Sequence, residues 1–194
     1  MPDARRPLWI AVSLLAAGTL LTVIPGVSSD TAVGIALASG PVAVSQGWQN
    51  YKSPAGHYSI LMPCSPTTET TPTETDLGPI ALQKASCATN ALFTTVIYYD
   101  VPATLGASPD EFLTVTADAL VKGSGFVEKA ARKKITIDGH PGVEIIGESQ
   151  DASSFVRARY YLVGSRIYLV MVGTALSDAA TPEIDSFFGS FKLN

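Results

Sequence analysis

The strongest constraint on this chain lies at residues 154–172. Two runs rich in β-branched and aromatic residues, 154–163 and 166–172, are separated by the dipeptide Gly164-Ser165. A two-residue loop opening on glycine is a hairpin turn, and it sets the register of the strands it joins. Leu162 then pairs with Ile167, and Tyr160 with Leu169. Upstream, residues 133–137 form a strand, Asp138-Gly139 turns it, residues 143–148 return, and the polar stretch 150–153 turns again. A four-residue loop at 150–153 pairs Gly147 with Val156 and Ile145 with Ala158. The four runs make an antiparallel meander.

Side chains alternate across a strand, so this register sorts the meander into two faces. One holds Val143, Ile145, Val156, Ala158, Tyr160, Leu162, Ile167, Leu169 and Met171, and is expected to be the core face on which helices pack. The other holds Glu144, Ile146, Glu148, Phe155, Arg157, Arg159, Tyr161, Tyr168 and Val170, with Glu144 opposite Arg159. A three-residue loop after Ile137 would also bring Lys134 near Glu144. Two readings of this second face stand side by side. It is a solvated sheet surface laced with cross-strand ion pairs, each worth under about 1 kcal/mol. Alternatively, Arg157, Arg159, Tyr161 and Tyr168 form a binding face, since arginine and tyrosine are what interfaces use.

The elements around the meander follow from local signals. Trp48 to Tyr51 alternates, residues 53–56 turn, and residues 58–62 form a strand stopped by Pro63. Residues 65–78 (SPTTETTPTETDLG) are polar without an apolar period and are expected as a loop or frayed edge. Residues 80–88 and 92–99 are strands joined at Thr89-Asn90. Ser108-Pro109-Asp110-Glu111 carries an N-cap, a first-position proline and a capping-box glutamate, predicting a helix over 109–122. Its inward stripe is read as Phe112, Val115, Ala119 and Leu120, and Gly123 closes it. A second helix starts at Thr181-Pro182-Glu183, faces Ile184, Phe187 and Phe188 inward, and ends at Gly189, with Phe191 docking the tail. The fold class is therefore α+β: an antiparallel β-sheet meander with two helices packed on one face, built by one domain spanning residues 48–194.

The N-terminal segment, positions 1–38, is of another kind. Arg5 and Arg6 precede 17 uncharged residues, LWIAVSLLAAGTLLTVI, followed by Pro25-Gly26 and small residues. That is the pattern of a secretory signal, with cleavage after Val27-Ser28-Ser29 or after Ala36-Leu37-Ala38. Such a run also sits at the short limit for a membrane span, so an uncleaved signal anchor is the alternative. Both place the domain outside the cytoplasm, periplasmic, secreted or held at the membrane only through the N-terminal segment. The chain has 13 Lys+Arg and 17 Asp+Glu. Arg5, Arg6, Asp3 and Asp30 fall in the N-terminal segment and cancel, so the domain keeps the net charge of −4 and has no general attraction for nucleic acid.

Cys64 and Cys87 are the only cysteines, and outside the cytoplasm a lone pair is most simply a disulfide. The competing reading is a metal pair with His57 and His140, which follow no ligand spacing. Nothing points to a catalytic residue, a metal site or a cofactor. There is no G-x-S-x-G, H-E-x-x-H, P-loop or dinucleotide fingerprint, and two histidines leave little choice of general base. Lys122-Gly-Ser-Gly125 is either an anion cradle or a helix stop. The basic run Lys129, Arg132, Lys133 and Lys134 is either a solvated strand start or a contact for anionic lipid or an acidic partner.

The motifs W-x-x-Y-x-S-P-x-G, Y-S-I-L-M-P, I-x-I-D-G-H-P-G-V-E, R-x-R-Y-Y-L-V-G-S-R-I-Y and F-F-G-S-F, taken in order, resemble small exported bacterial domains of the PsbP-like (Mog-type) α/β sandwich. Those are similar to envelope proteins with a Pro-Cys after the second strand and a second cysteine on the next, as at Pro63-Cys64 and Cys87. The fold's members include an accessory subunit of photosystem II, a Ran-binding protein and mycobacterial lipoproteins. The resemblance implies an accessory or binding role and no shared catalytic residues. The function expected is thus a non-enzymatic exported module that binds another envelope protein. A carrier with a small-ligand pocket between sheet and helix is the alternative.

Overall fold

In the computed structural model, residues 47–75, 78–101 and 108–194 are described. The expected N-terminal signal or anchor lies outside them. Among the described residues, no helix is long and apolar enough to cross a membrane.

The elements in chain order are β1 (Gln49–Ser53), β2 (Tyr58–Met62), β3 (Thr67–Thr75), β4 (Gly78–Ala88), β5 (Leu92–Asp100), α1 (Pro109–Ser124), β6 (Val127–Glu128), β7 (Lys133–Ile137), β8 (His140–Glu148), β9 (Ser154–Val163), β10 (Arg166–Ala175), a 3₁₀ turn (Leu176–Asp178), α2 (Pro182–Ser190) and β11 (Lys192–Leu193). The main sheet runs β3-β4-β5-β10-β9-β8, with β6 and β7 sharing the outer edge of β8. A smaller sheet runs β1-β2-β11. The mixture of antiparallel sheets and two helices is the α+β class expected.

The meander has the register set by its turns. Leu162 pairs with Ile167, Tyr160 with Leu169, Gly147 with Val156, and Glu144 with Arg159. One detail differs: Ile137 pairs with His140, so the preceding turn has two residues and Lys133, not Lys134, lies opposite Glu144. Asp138 and Gly139 both take positive φ (48° and 80°), as the tightest hairpin turn requires, and Asp-Gly is the pair that tolerates it.

Two cores flank the main sheet. α1 lies on the face of Val143, Ile145, Ala158, Ile167 and Leu169, burying Leu113, Ala117 and Leu120 there. The buried stripe is Leu113, Thr116, Ala117 and Leu120, turned from the predicted Phe112/Val115/Ala119 stripe. The helix also runs past Gly123 to a left-handed Gly125, whose N–H reaches Val121 O at 3.2 Å.

The second helix does not join α1. Ile184, Phe187 and Phe188 pack on the opposite face, with β2 residues Tyr58, Ile60 and Met62, over Val96, Tyr98, Tyr168, Val170 and Val172. The expectation of both helices on one face is corrected, and the cause is visible in the strands. β9 and β10 are apolar on both sides, and a sheet apolar on both faces must be covered on both. Residues 65–78, expected as a loop or frayed edge, supply edge strand β3. Its threonines suit a strand, and Pro72 is tolerated because it lies on a sheet edge.

The Cys64–Cys87 disulfide ties the end of β2 to β4, with a Cα–Cα distance of 5.8 Å. It therefore clamps the small layer onto the large sheet. Both sulfurs are bonded to each other, which removes the thiolates that a metal pairing with His57 and His140 would need.

Candidate functional site

Arg157, Arg159, Tyr161 and Tyr168 project from one face of adjacent strands, as expected, but that face is not open. Tyr161 and Tyr168 are buried. Tyr161 stacks on Phe191 at 5.8 Å between ring centres, and the Tyr168 hydroxyl donates to Gly56 O at 2.7 Å. Burial is the first cause that pushes both phenols above their ordinary pKa. They join the sheet to the small layer over it.

The arginines sit at the margin of the same layer. Both guanidinium groups lie over the Phe188 ring, at 5.0 and 4.6 Å, so α2 covers their stems. One oxygen of Glu144, Oε2, accepts from Arg159 Nε at 2.6 Å and from Arg157 Nε and a terminal nitrogen at 3.0 and 2.9 Å. Arg157 also donates to Asp185 at 2.7 Å. Burial pushes the Glu144 carboxyl up, but the hydrogen bonds and charges of Arg159 and Arg157 outweigh it and hold it below its ordinary value. The reading of this surface as a solvated or binding face is corrected to a charged seam beneath α2.

The remaining sequence candidates resolve in the same way. Lys129 pairs with Glu148, Arg132 with Glu128 and Asp118, and Lys134 with Asp110. Among the described residues only Lys133 of that run has no ion-pair partner. Lys122 to Gly125 is a helix end, not a cradle. Among the described residues no three His, Cys, Asp or Glu side chains are grouped to hold a metal ion.

Open space lies instead at the two ends of the β1–β2 hairpin. A first cleft, about 280 Å³, separates β1 from the β3–β4 ribbon and is lined by Tyr51, Ser53, Tyr58, Thr68, Thr70 and Gln83, among others. Thr68 and Thr70 of β3 and Gln83 of β4 line the ribbon side of this cleft as a polar shelf, with the Glu69–Lys84 ion pair beside them. The hairpin turn beside it is pinned: Arg166 donates to Ala55 O at 2.9 Å while it holds Asp100 through two bonds of 2.7 and 2.8 Å. A second cleft, about 300 Å³, lies between Trp48, Pro63 and the start of α2. The first cleft has no counterpart in the sequence pattern, whereas the second, between Leu92 and Thr174 of the sheet and Thr181 and Glu183 of α2, lies between sheet and helix. Both depend on the small sheet lying over the large one, and the only local hint was that β9 and β10 are apolar on both sides.

With this geometry in hand, comparison with known proteins identifies the fold. Cyanobacterial PsbP (CyanoP) from Synechocystis matches with a TM-score of 0.50 and 15% identity, over 81% of this chain and 99% of that one. A protein of unknown function from Pseudomonas aeruginosa matches with a TM-score of 0.39 and 14% identity, over 71% and 90%. No protein-family model and no curated protein matches the sequence. The fold is PsbP-like, as the motifs implied, and at such identity the likeness extends to the fold alone.

Proposed function

We propose that this chain is a non-enzymatic extracytoplasmic accessory module that binds another envelope protein by receiving an extended segment of it along β1. One observation carries this: β1 is a free edge standing over an open shelf. Among the described residues β1 comes first in the small sheet and pairs only with β2. Leu61 donates its N–H to Ser190 Oγ at 2.9 Å, and His57 O accepts from Asn194 at 2.9 Å. Alternate residues of β2 therefore turn toward β11. Asn50 and Lys52, which pair with Leu61 and Ser59, turn their own amides and carbonyls outward. Among the described residues nothing takes those groups. The first cleft gives an added strand room, and its threonine and glutamine shelf supplies polar contacts from below.

The extracytoplasmic placement draws support from the disulfide, which persists in oxidising compartments. The carrier reading would use the second cleft, which lies between the ends of β5 and β10 and the start of α2.

The test uses Asn50→Pro. It removes an outward N–H from an edge strand and spares the β1–β2 ladder. The tagged native chain is used to capture partners from envelope extract, beside Asn50→Pro and a Lys122→Ala control on α1. Loss of capture only by Asn50→Pro, at unchanged melting temperature, is the expected result. Equal capture by all three overturns the β1 assignment.

A further inference from the structure

The lining of the first cleft is selective among side chains. We infer that it receives a tyrosine side chain of the bound segment, carried by the residue that pairs with Tyr51; this rests on the reading of β1 as the receiving edge. Tyr51 and Ser53 line the cleft, whereas Asn50 and Lys52 are exposed. Side chains alternate along a strand, and cross-strand partners share a face. A residue opposite Tyr51 therefore turns the same way, over the polar shelf. Register aims that shelf at it. Thr70, Gln83 and Tyr98 are partners in one row across β3, β4 and β5. Tyr98 packs on Tyr58 of the small layer at 6.1 Å between ring centres, so the row faces that layer. Gln83 is half-buried and Thr70 is exposed, so both can be reached.

Hydrogen bonding and charge then narrow the side chain. Thr70 Oγ1 donates to Gln83 Oε1 at 2.7 Å, which orients the amide. Among the described residues no acceptor takes the N–H groups of Gln83 Nε2, so the matching group brings an acceptor. Lys84 and Glu69 pair at 2.7 Å and cancel each other at the side of the cleft. The Arg166 guanidinium already lies over the Tyr98 ring at 5.0 Å, so a second cation there meets a like charge. An entering carboxylate sheds water and finds no cation of its own. A neutral group with a flat apolar body and an oxygen at its tip remains. The wall suits the body: Tyr51, Tyr58 and Tyr98 follow one another at 6.1 Å between ring centres, and aromatic rings pack well on such a series. A cleft of about 280 Å³ has room for one such side chain. Tyrosine meets both demands, its ring on the wall and its phenol oxygen at Gln83 Nε2.

The test is NMR titration of the isotope-labelled native chain with acetylated, amidated nine-residue serine–threonine peptides. Their central residue is tyrosine, phenylalanine, lysine or glutamate. The tyrosine peptide should bind about fivefold tighter than the phenylalanine peptide, the worth of one hydrogen bond. It alone should shift the side-chain amide signals of Gln83. The lysine and glutamate peptides should bind about tenfold more weakly than the tyrosine peptide. Gln83→Met should remove the advantage of tyrosine over phenylalanine while the phenylalanine peptide binds as before, a split that a merely structural glutamine would not give. Equal binding of tyrosine and phenylalanine peptides, tighter binding of either charged peptide, or no saturation by the tyrosine peptide overturns the inference. Asn50→Pro separates it from the β1 reading. If that variant weakens every peptide but the native chain ranks them equally, the edge stands and the tyrosine inference falls. If the tyrosine preference and affinity survive in Asn50→Pro, the cleft assignment stands and the edge falls.

Discussion

Replacing Glu144 by glutamine should destabilise the fold far more than its place on a sheet face suggests. The carboxylate is nearly enclosed, with 7% of its side chain exposed, while Arg157 and Arg159 keep 19% and 21%. One oxygen receives three donors from two guanidinium groups. Breaking a fully buried pair costs about 3–5 kcal/mol, since the remaining charge has lost its partner. Here the arginines retain some water and Arg157 keeps Asp185, so the expected cost is about 2–3 kcal/mol. For a domain of this size that lowers the melting temperature by roughly 4–12 °C. Urea unfolding followed by circular dichroism measures it. Asp185→Asn serves as the control: that carboxylate is 78% exposed, and its loss should cost under about 1 kcal/mol. Glu144→Leu combined with Arg157→Met and Arg159→Met should recover most of the loss, because an apolar set removes the unpaired charges as well. If Glu144→Gln lies within about 0.5 kcal/mol of the native chain, the seam is not what holds α2 to the sheet.

Acid should expose the same group. Its folded pKa lies below the ordinary 4.5, so the unfolded chain takes up the proton first. The stabilisation is full above that ordinary value and is lost as pH falls through the folded value. The gap in urea midpoint between native chain and Glu144→Gln should stay constant near neutrality and shrink below about pH 4.5; a gap that grows in acid contradicts the assignment. Reducing the Cys64–Cys87 bond, which closes a sequence separation of 23, should cost roughly 3 kcal/mol, and thiol titration of the oxidised protein should find no free thiol. Gly142→Ala places a Cβ 2.5 Å from Tyr160 O and 2.7 Å from the Tyr161 ring, so it should cost about 1–3 kcal/mol. Gly173→Ala meets nothing nearer than 4.0 Å and should be neutral within about 0.5 kcal/mol in the same melts.

Much of the fold was legible because turns carry geometry. Gly164-Ser165 and the polar 150–153 loop fixed three strands, and the register sorted every side chain between them correctly. The capping box at Ser108 located the start of α1 to the residue. What the pattern did not carry was the second layer. Alternation says which side chains share a face, not what covers it. Arginines on that face suggested water, yet a long side chain lays its stem on Phe188 and turns its head to Glu144 at a covered margin. The contrary signal was Tyr161, Tyr168, Val170 and Val172 on the same side: four large apolar groups on two strands, more than a wet face would hold.

The clefts follow from a mismatch of widths, which no local pattern encodes. Strands lie about 4.8 Å apart, so the path from β3 to the β6/β7 edge of β8 spans roughly 29 Å. The small sheet has three strands, about 10 Å across, and α2 adds about 10 Å more. A layer about two-thirds as wide as the sheet beneath it leaves the rest of that sheet uncovered. Its disulfide and the Arg166–Ala55 contact fix where it sits, and the uncovered remainder falls on the β3–β4 ribbon. That is why the first cleft has a strand edge on one side and a threonine shelf on the other. Open space in this architecture lies at the margin of the smaller layer. The sheet face beneath it, where the sequence placed Arg157, Arg159, Tyr161 and Tyr168, is already occupied by the protein itself.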